Sequence, residues 1–124
     1  MAYRAAIITL SDSGFCGERE DVSGSVIAEI VEKEGYEVVR RELIPDEEEM
    51  LAALLIQICD GDEADLILTT GGTGFSKRDR TPEATKRVIE REAPGISEAM
   101  RYCSLQVTPR GMLSRGVSGI RTTS

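Results

Sequence analysis

The sequence predicts an α/β fold, a three-layer sandwich in which helices cover both faces of a mainly parallel sheet. The composition of the 124 residues, 40 % hydrophobic and 30 % charged, is that of an ordinary globular protein. Short apolar segments rich in β-branched residues alternate with longer segments whose apolar residues recur at helical spacing. This alternation is typical of a parallel sheet, because parallel neighbours need a long connection and a helix usually supplies it.

Three segments are predicted to be strands. Residues 3–10 form a short apolar run that ends at a polar Ser-Asp-Ser-Gly turn, and residues 36–44 form a second candidate. Residues 65–70 contain an unbroken apolar stretch, which predicts a parallel strand covered on both faces. The loop after the first strand is rich in Gly, Ser and Asp and extends to about Asp21.

Helices are predicted after the first and second strands. Apolar residues recur at helical spacing from Val22 to Val31, and Gly35 stands where a C-terminal cap belongs. After the second strand, Pro45 and the acidic residues behind it predict the start of another helix, which ends at Gly61.

Two more helices are predicted in the last third of the chain. Thr81 as a cap and Pro82 at the first helical position predict a helix that continues until Pro94. Residues 96–105 predict the next one.

The end of the sequence does not complete this pattern. Residues 117–120 predict the start of a further strand, but only a short polar stretch follows. Because a helix normally covers such a strand, either the fold is unusually short or a C-terminal piece is absent. We expect a single domain over residues 1–124 that lacks its C-terminal strand and helix.

The charged residues limit the possible functions. The chain has a formal net charge of −7 and no histidine, which excludes Ser-His-Asp and Cys-His nucleophiles, an imidazole base and a His-liganded zinc site. Residues 1–76 carry 5 basic and 17 acidic side chains, whereas residues 77–124 carry 10 and 5. The overall negative charge argues against a nucleic-acid partner.

The cysteines and the N-terminus indicate a location. Cys16, Cys59 and Cys103 are too few and too widely spaced for a disulfide framework or a CxxC metal site. Cys16 lies in the polar loop, whereas Cys59 and Cys103 lie in helical patterns and are predicted to be small core residues. The N-terminal apolar run is too short for a signal peptide or a membrane span. We therefore expect a cytoplasmic protein that has no membrane partner.

The segment from Thr69 to Ala84 carries the candidate site. It connects the carboxyl end of a parallel strand to a helix N-terminus, which is where open α/β sheets bind ligands. Gly71, Gly72 and Gly74 permit positive φ and a close backbone approach, so that their amides can point at a phosphate. The segment matches neither GxxxxGK[ST] nor GxGxxG, and a plain turn is the alternative interpretation. Hydroxyl and basic side chains accompany the glycines: Thr73, Ser76, Lys77, Arg78 and Arg80.

Two acidic residues are candidate Mg²⁺ ligands. Asp79 lies inside the glycine-rich segment, and Asp46 lies at the end of the second strand, so both are expected at the same edge of the sheet. Mg²⁺ in phosphate chemistry is held by one or two carboxylates together with phosphate oxygens and water. The alternatives are a salt-bridged loop acid for Asp79 and a helix N-terminal acid for Asp46. A third acid, Asp21, can be explained as a helix cap.

Four stretches of this sequence together resemble the molybdopterin-binding family, in particular its molybdopterin adenylyltransferase branch. They are Leu43-Ile-Pro-Asp46, Leu68-Thr-Thr-Gly-Gly-Thr-Gly74, Arg78-Asp79 with Thr81-Pro82-Glu83-Ala84-Thr85, and Leu113-Ser-Arg-Gly116. The resemblance covers nearly the whole chain. It implies a Mg²⁺-dependent nucleotidyltransferase of molybdenum cofactor biosynthesis, in which ATP adenylylates the terminal phosphate of molybdopterin and pyrophosphate is released.

The resemblance also implies roles for individual residues. It implies that Asp46 and Asp79 are catalytic, metal-organising acids. It assigns a second group to the cradle for the nucleotide and the pterin phosphate or to loops that line the same pocket: Ser11, Asp12, Asp21, Ser23, Gly71, Gly72, Thr73, Gly74 and Ser76. A site without histidine suits this reaction, because transfer between phosphates needs positioning and charge neutralisation more than a general base.

The family resemblance implies partners as well. Its members are commonly homotrimers, so we expect a homotrimer or a higher homo-oligomer, with the molybdenum insertase as a further partner. We expect the excess of basic residues to gather at the phosphate-bearing pocket through some of Lys77, Arg78, Arg80 and Arg115. A non-catalytic module that binds a pterin or a nucleotide is the alternative from another functional class.

Overall fold

A parallel three-stranded sheet lies at the centre of the protein. The computed structural model describes residues 2–15, 17 and 21–121, the side chains of residues 13 and 15 excepted. Strands β1 (Arg4–Leu10), β2 (Glu37–Ile44) and β3 (Leu66–Thr70) have the order β2-β1-β3, with β1 parallel to both neighbours. The parallel sheet of the predicted fold class is confirmed.

Helices and two short strands complete the described chain. The helices are α1 (Asp12–Phe15), α2 (Val22–Lys33), α3 (Glu48–Asp60), α4 (Thr81–Val88) and α5 (Pro94–Leu105), followed by a 3-10 helix (Pro109–Leu113). Strands β4 (Arg91–Glu92) and β5 (Gly119–Ile120) form a separate antiparallel pair. Within the described ranges, no helix has the length and apolar character that crossing a lipid bilayer requires.

Strand β1 contributes to the core on both faces of the sheet. Since successive side chains of a strand point to opposite faces, its alternate residues pack against different helices. Ala5 and Ile7 pack with Val31 of α2 on one face. Ile8 packs on the other face with residues such as Leu51 of α3, and α4 joins this second cluster. The three layers of the predicted sandwich are therefore confirmed.

Strand β3 is less buried than its sequence predicts. All five of its residues are only half-buried, although the apolar stretch predicts cover on both faces. The reason is its position, because β3 has β1 as its only neighbour in the described sheet and lies at the edge. An apolar stretch therefore indicated a strand correctly but not its place in the sheet.

The predicted helix from Thr81 ends earlier than expected. The backbone turns extended at Ile89, and the residues that follow pair with the C-terminal segment instead. Glu90 N donates to Ile120 O and Ala93 N donates to Ser118 O over 2.8 and 2.9 Å. The predicted C-terminal strand thus joins β4 and does not extend the parallel sheet. Helix α5 begins at Pro94, since proline is tolerated in the first turn of a helix.

Two local predictions about loops also need correction. The loop after β1 contains the single helical turn α1, which polar sequence alone does not indicate. Thr81 is the first residue of α4 and Arg80 precedes it as the cap residue, without a side-chain capping bond. The hydroxyl of Thr81 does not cap the helix, because it donates a hydrogen bond to the carbonyl oxygen of Gly71 in the preceding loop.

Candidate active site

The turn after β3 requires glycine at two positions. Gly71 and Gly72 have φ angles of 97° and 72°, in the left-handed region. A side chain at Gly71 would strike the carbonyl oxygen of Leu10, and one at Gly72 would strike the hydroxyl of Thr81. Gly74 does not have the positive φ that its sequence suggested. It is needed for a close approach, because an added Cβ would lie 2.8 Å from Oδ2 of Asp79.

Thr81 holds this turn against the start of α4. Its hydroxyl donates to Gly71 O over 2.8 Å and its amide donates to Gly72 O over 3.1 Å. The side chain is almost fully buried, so both bonds are shielded from water. Thr81 was missed as a site-building residue because its position also fits a helix cap.

Backbone N–H groups of the turn have no acceptor in the described part of the chain. This holds for the amides of Gly72, Thr73 and Gly74. Consecutive N–H groups around glycines in the left-handed conformation form the concave arrangement that binds anions. The turn therefore offers N–H donors to an anion. Its role as a phosphate cradle stays a prediction.

Asp46 lies at the end of β2 and keeps one carboxylate oxygen unpaired. Its Oδ2 accepts a bond from Asp12 N over 3.1 Å, and its own amide donates to Asp12 Oδ1 over 2.9 Å. Oδ1 is buried and, among the described residues, has no hydrogen-bond partner. Burial raises the pKa of Asp46, and the negative charges of Asp12 and Asp79 raise it further.

Asp79 shares this environment from the other side of the glycine turn. Its Oδ2 accepts a bond from Ser76 N over 2.9 Å, and its amide donates to Ser76 O over 3.0 Å. An added Cβ at Gly72 would lie 3.4 Å from Oδ1 of Asp46, and the charge of Asp79 reaches Asp46. The two predicted acids are therefore brought together at one edge of the sheet.

The salt-bridged interpretation of Asp79 is wrong. In the portion of the chain that the structure describes, its carboxylate has no cation within ion-pairing distance, because the arginines near it have other partners. Arg78 pairs with Asp12, Arg80 with Glu48 and Arg115 with Glu83.

Asp12 supports Asp46 and is itself held by Arg78. Nε and Nη2 of Arg78 donate to Oδ2 and Oδ1 of Asp12 over 3.1 and 3.0 Å, a two-pronged contact. The bonds from Arg78 lower the pKa of Asp12, with a further contribution from the amide of Asp46. The pKa of Asp12 is thus lowered, whereas the pKa of its neighbour Asp46 is raised.

A cavity of about 590 Å³ opens beside this acid pair. Its lining includes four of the predicted site residues, namely Ser11, Asp21, Ser23 and Gly71. Thr9, Leu43 and Thr70 also line it, although none of the three was predicted to be a site residue. The remaining predicted residues lie in the adjoining acid and glycine cluster: Asp12, Asp46, Gly72, Thr73, Gly74, Ser76 and Asp79. The predicted site therefore has two adjoining parts that meet at Ser11–Asp12 and Gly71–Gly72.

Asp21 is the N-cap of α2, which confirms the structural interpretation of this residue. Its Oδ1 accepts bonds from Gly24 N and from the Thr9 hydroxyl, each over 2.9 Å, and Arg41 donates to Oδ2 over 3.2 Å. Burial alone would raise the pKa of Asp21, but the bonds from Gly24, Thr9 and Arg41 outweigh it and lower the pKa. Ser23 is exposed in the first turn of the same helix.

The basic residues near the site do not supply the free positive charge that was expected of them. Arg78, Arg80 and Arg115 lie near the acids but are neutralised by carboxylates, so they do not form a free positive patch. Lys77 is exposed and, among the described residues, has no ion-pair partner. The expected excess of free positive charge is therefore not provided by Arg78, Arg80 and Arg115.

Cys59 and Cys103 take no part in this site. Cys16 lies outside the described residues. Cys59 is half-buried, and burial raises the pKa of its thiol, which makes it a poor nucleophile. Cys103 is exposed, contrary to its predicted core position, because α5, all of which the structure describes, buries little of its surface and Ser97 is its one buried residue.

Comparison with known proteins identifies the family. The family described as "Probable molybdopterin binding domain" matches residues 6–123, nearly the whole chain. The chain belongs to this family. The molybdopterin-binding family was the one predicted from the four sequence stretches, and that prediction is confirmed.

Relatives within the molybdopterin-binding family are similar over most of this chain. A molybdopterin adenylyltransferase of Helicobacter pylori strain J99 is 40 % identical over 120 residues, which are 95 % of this chain and 68 % of that protein. The molybdopterin adenylyltransferase of Escherichia coli K12 is 38 % identical over 121 residues, 95 % of this chain and 62 % of that protein. The chain thus spans about two thirds of these relatives.

Solved structures in the family have the same fold. The molybdopterin biosynthesis enzyme MoaB from Thermus thermophilus superposes with a TM-score of 0.89 at 48 % identity, covering 96 % of this chain and 75 % of that chain. The tungsten cofactor synthesizing protein MoaB from Pyrococcus furiosus superposes with a TM-score of 0.86 at 36 % identity. The match covers 99 % of this chain and 76 % of that chain.

Proposed function

We propose that the chain is a molybdopterin adenylyltransferase of molybdenum cofactor biosynthesis, with ATP and molybdopterin as its substrates. The observation that carries this proposal is the convergence of two carboxylates on a glycine turn with unpaired amides. The names of the relatives give the same activity. Binding of an anion and a cation side by side is what transfer between two phosphate-bearing substrates requires.

Mg²⁺ is the metal that this pair of acids would hold. The buried Oδ1 of Asp46 has no hydrogen-bond partner among the described residues, and Asp79 has no cationic partner there, so both fit a cation. Within the described ranges, no three acid, Cys or His side chains form a complete metal cage. Two carboxylates suit Mg²⁺, which takes its other ligands from substrate phosphates and water. The bound ion would neutralise charge on those phosphates.

The reaction needs alignment more than proton transfer. A terminal phosphate oxygen of molybdopterin forms a bond to the α-phosphorus of ATP, and the bond from that phosphorus to the bridging oxygen breaks, so that pyrophosphate leaves with the electron pair. The amides of Gly72, Thr73 and Gly74 would bind phosphate oxygens and hold the attacking group in line. Asp46 and Asp79 would fix the cation beside them.

The adjoining cavity would bind the organic part of a substrate. Its volume of about 590 Å³ is in the range of small-molecule sites. Ser11, Ser23 and Thr9 provide hydroxyl groups along its wall, and Leu10, Val22 and Leu43 provide apolar surface. A ring with polar edges fits such a lining.

An assay of adenylyl transfer tests the proposal. The protein is incubated with molybdopterin, ATP and Mg²⁺, and adenylylated pterin and pyrophosphate are measured. We expect turnover by the wild type and a loss of at least about a hundredfold in Asp46→Asn and in Asp79→Asn, because each removes charge from the cation site. Asp62→Asn is the matched control, since Asp62 is an exposed acid that pairs with Arg4 at the other end of β1.

Two results would contradict the proposal. Pterin binding without any adenylyl transfer by the wild type would leave a non-catalytic binding module. Equal activity in the Asp79→Asn and Asp62→Asn variants would remove the acid pair from the mechanism. Circular dichroism and thermal unfolding of each variant separate loss of activity from loss of fold.

The assembly and location complete the proposal. We propose a cytoplasmic homotrimer that passes its product to the molybdenum insertase. An accumulation of exposed apolar side chains in α5 and the segment after it supports self-association. These residues are Ile96, Met100, Tyr102, Leu105, Val107, Met112 and Leu113.

A further inference from the structure

Arg115 contacts the glycine-rich loop from the side chain and from the backbone. Its Nε donates to Gly74 O over 2.8 Å and its Nη2 to Asp79 O over 2.6 Å. Its amide donates to Thr73 O over 3.0 Å. One residue, distant in sequence, therefore holds three carbonyls of the loop that carries Asp79.

Glu83 fixes the guanidinium in this place. Nη1 of Arg115 donates to Oε2 of Glu83 over 2.7 Å, and Nη2 donates to Oε1 over 3.4 Å. The bonds from Arg115 lower the pKa of Glu83, which therefore stays ionised at neutral pH. Both side chains are only about one-third exposed, so the pair is partly shielded from solvent. The charge of Arg115 is satisfied by Glu83, while its Nε and Nη2 also bond carbonyls of the loop.

The bonded carbonyls determine the direction of the neighbouring amides. In a trans peptide the C=O and N–H groups point in opposite directions. Because Arg115 holds the carbonyls of Thr73, Gly74 and Asp79, the N–H groups of the next residues point away from it. Those N–H groups belong to Gly74, Phe75 and Arg80, and none has an acceptor in the part of the chain that the structure describes.

We propose that Arg115 is a positioning residue for the phosphate-binding loop, turning the amides of Gly74, Phe75 and Arg80 toward the substrate phosphates and fixing the backbone at Asp79. This inference rests on the proposed function for its substrate, ATP. In this proposal Arg115 acts through the backbone, because its guanidinium bonds Glu83 and the carbonyls of Gly74 and Asp79. Its contribution is to keep the loop in its binding conformation before the ligand arrives.

The fork geometry of arginine makes lysine the discriminating substitution. A lysine ammonium keeps the charge but cannot bond Glu83 and two carbonyls in one plane. Arg121 offers a matched control, since it bonds Asp60 over 3.1 Å through two nitrogens and Val88 O over 2.9 Å. It has the same chemistry at the end of α4, where no predicted site residue lies.

The test compares Arg115→Lys with Arg121→Lys. Binding of ATP with Mg²⁺ and binding of inorganic pyrophosphate are measured by calorimetry, and kcat and KM for ATP by the transfer assay. We expect Arg115→Lys to weaken ATP binding and raise its KM about tenfold while kcat changes less. Arg121→Lys should leave the ATP affinity and the KM for ATP unchanged, although it should change Tm about as much as Arg115→Lys does. Added guanidinium ion should restore ATP binding to Arg115→Ala.

The other outcomes separate the proposed role of Arg115 from the proposed adenylyl-transfer reaction. Equal ATP affinity in Arg115→Lys and Arg121→Lys overturns the role of Arg115, as does a wild type that binds neither ATP nor pyrophosphate. A wild type that binds ATP more tightly than Arg115→Lys but transfers no adenylyl group supports the role of Arg115 and overturns only the proposed reaction.

Discussion

Asp12 and Asp46 exchange reciprocal hydrogen bonds, in which the amide of each residue donates to the carboxylate of the other over 3.1 and 2.9 Å. The exchange connects the carboxyl end of β1 to that of β2, beside the ladder bond from Ser11 N to Ile44 O. It uses one oxygen of Asp46 and leaves Oδ1 buried. A carboxylate is thereby held in place where its charge is disfavoured.

Asp46→Asn should stabilise the free protein although it removes activity. Burial and the charges of Asp12 and Asp79 disfavour the ionised side chain, so a neutral amide of the same shape relieves that cost. We expect a higher Tm at neutral pH without Mg²⁺ by differential scanning calorimetry. Asp62→Asn, at an exposed carboxylate, is the control and should not raise Tm. A lower Tm for Asp46→Asn would mean that its hydrogen bonds matter more than its charge.

Alanine substitutions at three glycines separate backbone strain from steric contact. Gly35 has a φ of 92° and free space around an added Cβ, so Gly35→Ala should cost about 1 kcal/mol of unfolding free energy. Gly72→Ala adds a contact with Thr81 and should cost about 2–3 kcal/mol. Gly95 has neither feature, and Gly95→Ala in α5 should raise stability slightly. Urea unfolding measures all three; equal costs at Gly35 and Gly72 would contradict the contact with Thr81.

Asp21 should contribute stability that depends on pH. Its folded pKa is lowered, so the unfolded chain binds the proton first as the pH falls. The stabilisation is therefore complete above the ordinary pKa of about 4 and is lost as the pH falls through the lowered value. At pH 7 we expect Asp21→Ala to cost about 1 kcal/mol as a lost cap, and Asp21→Asn to cost less. The difference between wild type and Asp21→Asn should vanish in acid; a constant difference would exclude a charge effect.

The apolar residues of α5 should mediate self-association. Ile96 and Met100 are one turn apart and are 60 % and 64 % exposed. Changing both to Asp should convert the proposed trimer to a monomer, because buried charges without partners oppose association. Light scattering after gel filtration measures the mass. Val26 and Ile30, exposed at the same spacing on α2, provide the control pair. A trimer that survives the α5 change would exclude this surface.

Much of the fold followed from local sequence patterns. The runs of apolar residues predicted the three parallel strands to within one residue, and Pro45, Gly61 and Gly35 marked helix limits correctly within a few residues. The two glycines and two acids of the site were also identified, because strand-ending loops and residue types determine where such groups meet. Their assignment to substrate and metal stays a prediction.

Other features depend on contacts that local patterns do not contain. The edge position of β3 follows from which strands are present beside it. Strand β4 forms because the carbonyls of Ile120 and Ser118 accept bonds from residues 30 and 25 positions earlier. Arg115 was expected to supply positive charge, but its place opposite Glu83 could be known only from the packed chain. The position of β3, the formation of β4 and the place of Arg115 all depend on pairing between residues that are distant in sequence.

The hydrogen bonds around the acid pair connect segments that are far apart along the chain. Asp12 and Asp46 are separated by 34 positions, Arg78 and Asp12 by 66, and Arg115 and Gly74 by 41. No short fragment can form these bonds, so this region becomes ordered only when the tertiary structure closes. A ligand that binds here should accordingly stabilise the molecule against global unfolding, and slow the exchange of amide hydrogens in β1 and β2 as well as in its own loop.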